Sequence, residues 1–245
     1  MKIAFCFYGG VHYLDGFMAQ NMVRCLVTPF QKQRDSQSFF FLHTYLENDT
    51  LSHIQTMRQF FPFMVVSLYD MKMLSLDDDV NDFSLNRVKR IWKSSSYTFD
   101  LVVYVRLNLL FARPLSENDI SHLFANNNHI FMTDYPSKEL QSCVVIGNSH
   151  TMSVYADKIY YHGDQYTEWL GSEHNLYTAS VTIAFVRILS DGFVHSDDYQ
   201  ICPYLKDMIA SSTTKIRLVK RKHSVKNEFE KSKQKNKHEE SGRIS

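Results

Sequence analysis

Short apolar runs alternate with amphipathic segments along the first half of the chain. The first run, Ile3–Tyr8, is uninterrupted and is followed by Gly9 and Gly10. Such a run, rich in β-favouring residues and stopped by glycine, is typical of a strand buried on both faces of a parallel sheet. Residues 15–28 then place apolar side chains at helical spacing and end before Pro29, as in an amphipathic helix. The sequence therefore predicts a strand, a glycine turn and a helix.

The same alternation continues along the chain to Phe111. Further strands are predicted at residues 38–45, 64–68 and 99–105, and further helices at residues 51–61 and 84–93. The apolar run of the last strand continues directly through Arg106 to Phe111, and Asp82 or Ser84 is expected to cap the helix before it. This order of elements indicates an α/β fold with a mostly parallel central sheet and helices on both faces.

The second half of the chain repeats the pattern less regularly. A short helix is expected at residues 117–124, a strand at 130–133 that ends at Asp134, and a further strand at 144–146. A helix at 149–161 and a late strand at 178–188 follow. Because no internal repeat and no linker rich in Pro, Gly or Ser precedes residue 219, we predict a single domain over residues 1–219.

Residues 220–245 differ in composition from the rest of the chain. Apolar residues nearly vanish there, while Lys, Glu, Ser and Asn dominate. Such a segment buries too little apolar surface to offset the entropy lost on ordering, so we expect a disordered, Lys-rich tail. Weak contact with a membrane surface and binding to an acidic partner are the alternatives for this tail.

Composition and charge narrow the classes of function. Of the 245 residues, 44% are hydrophobic and 14% aromatic, which is enough for a sizeable core. Lys and Arg total 27 against 26 Asp and Glu, so no global field attracts nucleic acid and no nucleic-acid partner is expected. No apolar stretch approaches the roughly 18 residues of a transmembrane segment. Four widely spaced cysteines indicate free thiols, and we expect a cytoplasmic protein.

Candidate site residues follow the predicted strands. In an open parallel sheet, ligands bind beyond the carboxyl ends of the strands, where loops converge and helix N-termini attract anions. The residues at those positions are Tyr8-Gly9-Gly10, His43-Thr44-Tyr45, Arg106-Leu107-Asn108 and Asp134.

Two of these features also have purely structural interpretations. Gly9 and Gly10 would let backbone N–H groups approach a phosphate, but they equally suit a turn that requires positive φ. Arg106 would be costly to bury without a partner, which is either a carboxylate of the fold or the diphosphate of a nucleotide. Neither GxGxxG nor GxxxxGK[ST] occurs, so neither a dinucleotide-binding fold nor a P-loop is indicated.

An acidic run offers a metal site. Asp77 and Asp79 form an Asp-x-Asp pair, whose carboxylates would hold Mn²⁺ or Mg²⁺ against a diphosphate. The alternative is that these acids lie in solvent before a helix and favour its N-terminal dipole.

Several segments together resemble one family. They are Lys2–Gly10, Phe41–Tyr45, Phe99–Phe111, Val144–Asn148 with Met152 and Tyr155, and Ser172–Leu176. In this order they resemble small GT-A-like glycosyltransferases of surface-polysaccharide clusters and large algal viruses. The resemblance implies a GT-A-like fold and transfer of a sugar from a nucleotide diphosphate sugar donor to a glycan or glycoprotein acceptor. For a viral protein, the location would be the host cytoplasm.

The resemblance also implies roles for the candidate residues. Those expected to line the nucleotide are Tyr8, Gly9, Gly10, His43 and Thr44, and those expected to face the diphosphate are Arg106 and Asn108. The candidate catalytic carboxylates are Asp134 and Glu173. Asp134 is the expected base of an inverting reaction, whereas Glu173 has the alternative of capping a helix.

One position departs from the family pattern. There the fourth strand usually ends Arg-x-Asp-x-x-Phe, and this Asp helps to place a metal-bound diphosphate, but here the position is Asn108. An amide oxygen can ligate a cation without adding charge, so dependence on Mn²⁺ or Mg²⁺ is expected to weaken. Asp77–Asp79 or Asp134 would compensate, or Arg106 would neutralise the leaving group alone. The remaining alternative is an inactive protein that only binds a nucleotide-sugar or glycan.

Overall fold

The computed structural model describes residues 1–11, 14–33, 35–70, 80–125, 128–134, 141–157, 170–172 and 174–188, with residues 194 and 198. Its strands are β1 Lys2–Tyr8, β2 Gln37–Leu46, β3 Val65–Asp70, β4 Leu101–Arg106, β5 Leu109–Phe111, β6 His129–Thr133, β7 Val144–Gly147, β8 Tyr177–Val181 and β9 Phe185–Arg187. Its helices are α1 Gly16–Met22, α2 Thr28–Gln31, α3 Thr50–Phe60, α4 Val80–Lys93, α5 Glu117–Ala125 and α6 Ser149–Tyr155.

Seven strands form the central sheet in the order β3-β2-β1-β4-β7-β6-β8. The pairs β1–β2, β1–β4, β2–β3 and β6–β8 are parallel, while β7 is antiparallel to both β4 and β6. The predicted α/β class with a mostly parallel sheet is therefore confirmed. The reversed direction of β7 was not foreseen, because its short apolar sequence is compatible with either direction.

Strand β1 lies at the centre of the core. Its residues from Ile3 to Tyr8 are at most 2% exposed, which explains the uninterrupted apolar run. Ile3, Phe5 and Phe7 face the cluster that contains side chains of α1 and α3. The alternate side chains, from Ala4 to Tyr8, face the cluster that contains side chains of α4 and α6. The prediction of helices on both faces of the sheet is thus confirmed.

The first helical region is longer than predicted. The chain remains helical through a π-helical segment, Val23–Val27, and then through α2, which carries Pro29 in its first turn. The fixed φ of proline suits a helix, but proline has no N–H to continue the hydrogen-bond pattern of this continuous helical path. The carbonyl of Cys25, which proline at position 29 cannot pair, instead accepts a hydrogen bond from the N–H of Leu115 at 3.0 Å. The predicted end before Pro29 was wrong for this reason.

The strand predicted at 99–105 corresponds to β4, but the apolar run that continues from it does not stay in one sheet. The late run, predicted as a single strand, is also divided in the structure. The run from residue 99 to Phe111 turns at Leu107–Asn108, so β4 belongs to the central sheet and β5 to a separate two-stranded sheet. The late run at 178–188 is divided into β8 and β9, and β9 pairs antiparallel with β5. Apolar continuity therefore did not indicate where the backbone changes sheet.

The ends of two helices also differ from the prediction. α4 begins at Val80, so Asp82 lies in its first turn and Ser84 lies inside the helix with its side chain fully buried. α6 ends at Tyr155 rather than at residue 161, and Asn148 caps its start by accepting a hydrogen bond from the N–H of Thr151. The last turn predicted for α6 falls partly on residues 158–161, outside the described ranges.

Three further predictions concern the cysteines, the C-terminal tail and membrane-spanning segments. Cys6, Cys25 and Cys143 are buried free thiols. The predicted tail at 220–245 lies outside the ranges given above. In the part of the chain that the structure describes, no helix has the length and apolar character needed to cross a bilayer.

Gly147 provides a test of the packing of α6 against β7. A Cβ at this position would lie 2.4 Å from Oγ1 of Thr151, and this hydroxyl is held by the carbonyl of Asn148 at 3.1 Å. We expect Gly147→Ala to lower the free energy of unfolding by about 2 kcal/mol, as overpacking does. Gly16→Ala is the control, since its Cβ would be 3.8 Å from the nearest atom. Urea denaturation of both variants checks this, and equal stabilities would contradict it.

Candidate functional site

Residues of three adjacent strands form a row near the carboxyl edge of the sheet. Tyr8 of β1 is the register partner of both His43 of β2 and Arg106 of β4. The row extends to the start of β7, where the carbonyl of Cys143 accepts a hydrogen bond from the N–H of Arg106 at 2.9 Å. The structure thus brings together three positions that the sequence analysis expected at one edge.

The direction in which the chain adds strands to the sheet reverses at β1. From β1 the chain first adds β2 and β3 on one side and then places β4 on the other side. Loops that leave neighbouring strands in opposite directions at such a point open a crevice, which is the usual ligand site of open α/β sheets. In this sheet that position lies beyond Tyr8 and Arg106, and we call the region there the crevice.

A glycine turn forms one wall of the crevice. Gly9 has a φ of 98°, and its N–H donates a hydrogen bond to Oγ of Ser84 at 2.9 Å. A Cβ at Gly9 would meet Asn81 Oδ1 only at 3.7 Å, which is an ordinary contact. The backbone angle, rather than crowding, therefore requires glycine here.

His43 supports this turn from within the protein. Its Nδ1 lies 2.8 Å from Oγ of Ser84, so one hydroxyl joins the histidine ring to the N–H of Gly9. The ring is fully buried, and its Nε2 has no hydrogen-bond partner among the residues that the structure describes. Burial, with a smaller contribution from the positive charge of Arg87, lowers the pKa of His43 from 6.5 to about 4. His43 is therefore neutral at pH 7.

Three of the predicted nucleotide-lining residues do not reach the protein surface. His43 and Thr44 are both 0% exposed, and Tyr8 is 2% exposed. The hydroxyl of Tyr8 donates a hydrogen bond to the carbonyl of Ser142 at 2.7 Å, which ties β1 to the residues before β7. Tyr8 belongs to the apolar cluster beneath α4, and His43 bonds to Ser84 of that helix, so these two side chains support the ends of their strands from inside the protein.

Arg106 and Asn108 are half-buried at the end of β4. Nη1 of Arg106 lies 3.9 Å from Sγ of Cys143. The backbone carbonyl of Asn108 accepts a hydrogen bond from the N–H of Ile188 at 2.8 Å, which fixes the turn between β4 and β5. A cation and an amide therefore occupy the strand next to the glycine turn.

Asp134 lies at the same edge, two strands away from Arg106. It is exposed directly after β6, and its N–H donates a hydrogen bond to the carbonyl of Val181 at 3.0 Å. Continuing the β6–β7 register beyond Met132↔Val145 places Asp134 level with Cys143, and two strand spacings correspond to about 10 Å. Glu173, the other predicted carboxylate, lies outside the described residues.

The donor set for a divalent cation is incomplete among the described residues. Within those ranges, no group of three or more His, Cys, Asp or Glu side chains is placed to hold a metal ion. Asn108 supplies no charge, and Asp77 and Asp79 both fall in the segment 71–79 that the structure does not describe. Mn²⁺ and Mg²⁺ prefer several oxygen ligands, including carboxylates, so the described residues do not fit such an ion.

Two contributors to the site were missed in the sequence. Ser84 precedes Val88 by four residues and thus lies on the apolar face of α4, where a buried polar side chain needs a partner. Its position on this apolar face could have indicated that Ser84 bonds to a buried partner. The guanidinium of Arg87 lies 5.2 Å from the ring centre of Tyr69 and 4.9 Å from that of Phe83. This cation–π cluster joins residues of β3 and α4, and sequence spacing does not reveal it.

Comparisons with known proteins give matches at the level of structure only. No protein-family model and no curated protein sequence matches the chain. A nucleoside-diphosphate-sugar pyrophosphorylase from Vibrio cholerae is 8% identical, with a TM-score of 0.48 and coverage of 81% of this chain and 98% of that one. A Drosophila galactosyltransferase in complex with manganese, UDP-galactose and xylobiose is 11% identical, with a TM-score of 0.42 and coverage of 84% and 78%.

A third solved structure is the galactosyltransferase LgtC in complex with donor and acceptor sugar analogues. It is 11% identical, with a TM-score of 0.37 and coverage of 69% of this chain. The chain spans 65% of the length of that galactosyltransferase. At such identities and TM-scores, no residue role is transferred from these proteins to this chain.

The lowered pKa of His43 predicts a pH dependence of stability. Because the folded protein disfavours the charged imidazole, the stability contribution is fully present above pH 6.5 and declines as the pH falls towards 4. The loss should reach up to about 3 kcal/mol. Denaturation between pH 7 and pH 4 should show a smaller decline for His43→Gln than for the wild type. The exposed His122→Gln is the control, and equal declines in all three proteins would contradict the assignment.

Proposed function

We propose that the protein transfers a sugar from a nucleotide diphosphate sugar to a glycan or glycoprotein acceptor. The observation that carries this proposal is the adjacency of the Gly9 turn and Arg106 across the β1–β4 pair. A turn without side chains lets the backbone approach a phosphate or ribose. A guanidinium on the next strand suits the charge and geometry of a diphosphate. The resemblance of the sequence segments to GT-A-like glycosyltransferases supports the same function.

In the proposed complex, the nucleotide lies against Gly9 and Gly10, and the diphosphate faces Arg106 and Asn108. Ser84 and His43 act as positioning residues, because they hold the N–H of Gly9 and the strand behind it. A neutral His43 suits this role, since a buried imidazolium would be costly beneath the crevice. Arg106 would stabilise the negative charge that develops on the departing diphosphate.

Asp134 is the proposed general base. The acceptor hydroxyl oxygen would form a bond to the anomeric carbon while the bond from that carbon to the diphosphate oxygen breaks. The hydroxyl proton would pass to the carboxylate of Asp134, and the electron pair of the broken bond would leave with the nucleotide diphosphate. The exposure of Asp134 and its separation from Arg106 by two strands leave room for a sugar between them.

A second candidate function is binding of a nucleotide-sugar or glycan without catalysis. The uncharged Asn108 at the end of β4 favours it, because an amide holds a metal-bound diphosphate less well than a carboxylate. Donor binding without transfer or donor hydrolysis, with or without Mn²⁺, would support this function over the first. Gain of turnover in Asn108→Asp with added Mn²⁺ would locate the loss of activity at this position.

The role of Arg106 is tested by donor binding. Calorimetry with UDP-, GDP- and dTDP-sugars, with and without Mn²⁺, identifies the donor. We expect Arg106→Ala to weaken the affinity for that donor at least tenfold, about 1.4 kcal/mol. Arg90→Ala, which removes an exposed arginine from the last turn of α4, is the matched control and should bind normally. Unchanged affinity in Arg106→Ala would remove this residue from the site, and absence of binding to every nucleotide would refute both candidate functions.

The role of Asp134 is tested by turnover. Loss of a general base usually lowers the rate by about 10²–10⁴-fold, so Asp134→Asn should lower kcat within this range while donor affinity stays the same. Asp100→Asn is the control, because Asp100 lies at the opposite edge of the sheet and accepts a hydrogen bond from the N–H of Lys2. A kcat that is unchanged in Asp134→Asn would exclude Asp134 as the base.

A further inference from the structure

A cavity lies at the amino edge of the sheet, opposite to the edge that carries Tyr8 and Arg106. Its volume is about 480 Å³, and it surrounds the amino end of β2, where Gln37–Phe41 contribute to its walls. His43 lies five residues beyond Ser38 along the same strand, or about 17 Å. The cavity is therefore separate from the crevice at the carboxyl edge, and it belongs to no part of the proposed transfer reaction.

Two exposed aromatic rings line this cavity. Phe63 is 99% exposed and Tyr97 is 48% exposed, and both line the cavity. The ring of Tyr97 rests on that of Phe39, with the centroids 4.5 Å apart, so it forms a supported apolar surface. Phe63 has a φ of 59°, a left-handed conformation that is unfavourable for a bulky residue. An exposed ring held in such a conformation points to a functional constraint.

The polar groups of the cavity are neutral. Gln31, Gln37, Ser38 and Ser95 are among the lining residues. Oγ of Ser38 is buried and belongs to the face of the sheet opposite to Phe39 and Tyr97, and the hydroxyl of Ser95 donates a hydrogen bond to the carbonyl of Trp92 at 2.7 Å. Each amide can donate and accept hydrogen bonds, and each hydroxyl can do both. No charged residue occurs among the described residues that line the cavity, and the nearest charge that the structure shows is Nζ of Lys2, which lies 5.0 Å from the ring centre of Tyr97. A ligand with many hydroxyl groups and no charge matches this set.

The backbone of β2 adds to these groups. The N–H of Gln37 points to β1, where the carbonyl of Met1 accepts it at 2.8 Å. By alternation, the N–H and C=O of Ser38 point to the other side, where β3 starts only opposite Phe41. This open stretch is shorter than a typical strand of about five or six residues, so it offers an extended peptide few main-chain hydrogen bonds. A compact polar ligand can instead form hydrogen bonds with both the N–H and the C=O of Ser38.

We propose that this cavity binds a neutral carbohydrate. Sugar C–H groups would lie on the rings of Phe63 and Tyr97, while the sugar hydroxyls would bond to the backbone N–H and C=O of Ser38 and to the amides of Gln31 and Gln37. The combination of apolar faces with a few convergent polar groups is the usual composition of a small-molecule site. The inference does not depend on the transferase activity, because it uses none of the residues at the carboxyl edge.

The test uses the full chain and neutral trisaccharides: maltotriose, cellotriose and triacetylchitotriose. Binding is followed by NMR titration up to about 10 mM, a range suited to weak sites. We expect saturable binding of at least one trisaccharide, weakened about fivefold or more in Phe63→Ala through loss of one stacking partner, and also weakened in Gln37→Ala. Phe63 is exposed, so its removal should leave the stability unchanged. Tyr177→Ala, which removes another exposed ring, should bind normally.

Two variants distinguish binding at this cavity from donor binding at the proposed transferase site. Arg106→Ala should retain trisaccharide binding, and Phe63→Ala should retain binding of the nucleotide-sugar donor. The proposal is overturned if no trisaccharide binds, or if Phe63→Ala binds as the wild type does. It is also overturned if light scattering shows a concentration-dependent dimer that Phe63→Ala abolishes, since the cavity would then be an interface between copies of the chain.

Discussion

The parallel pairing of β1 with both β2 and β4 is the constraint on which the rest of the structure depends. This strand is buried on both faces and hydrogen-bonded on both edges, so its register fixes the level at which the neighbouring strands end. Tyr8 is consequently held between His43 and Arg106. A shift of one residue in either pair would turn every side chain of the shifted strand to the opposite face, and the two apolar clusters strongly oppose such a shift.

Beneath the glycine turn, the hydroxyl of Ser84 takes part in several polar interactions. Ser84 accepts from the N–H of Gly9 and lies within hydrogen-bond distance of Nδ1 of His43. The turn is thus joined to both β2 and α4 at a single atom. A wall built in this way is rigid before any ligand arrives, which reduces the ordering cost of binding.

Much of the fold was predictable from the sequence because local pattern and final burial agree. The run Ile3–Tyr8 is apolar at every position since both faces are covered, and Gly9 was recognised as the end of the strand because only a residue without Cβ adopts its φ readily. The edge that carries Arg106 and Asp134 followed from the rule that parallel strands end together. The positions of these residues could be predicted, whereas their roles are matters of chemistry that only experiment assigns.

Other features depend on distant partners and could not be read from local pattern. The helical path through Pro29 is possible because Leu115, far along the chain, supplies the N–H that Cys25 would otherwise lack. The division of the run ending at Phe111 depends on β9, which pairs with β5. The burial of His43 depends on α4, so a polar residue that looked like a ligand contact became part of the supporting interior.

The bond between Tyr8 and Ser142 joins residues that are 134 positions apart, and this has a consequence for biosynthesis. Until β7 emerges from the ribosome, the outer edge of β4 has no strand beside it, and this edge carries the apolar sequence Leu101–Val105. An uncovered apolar edge is prone to pair with other chains. Docking of the reversed strand β7 therefore protects the edge of β4 from such pairing.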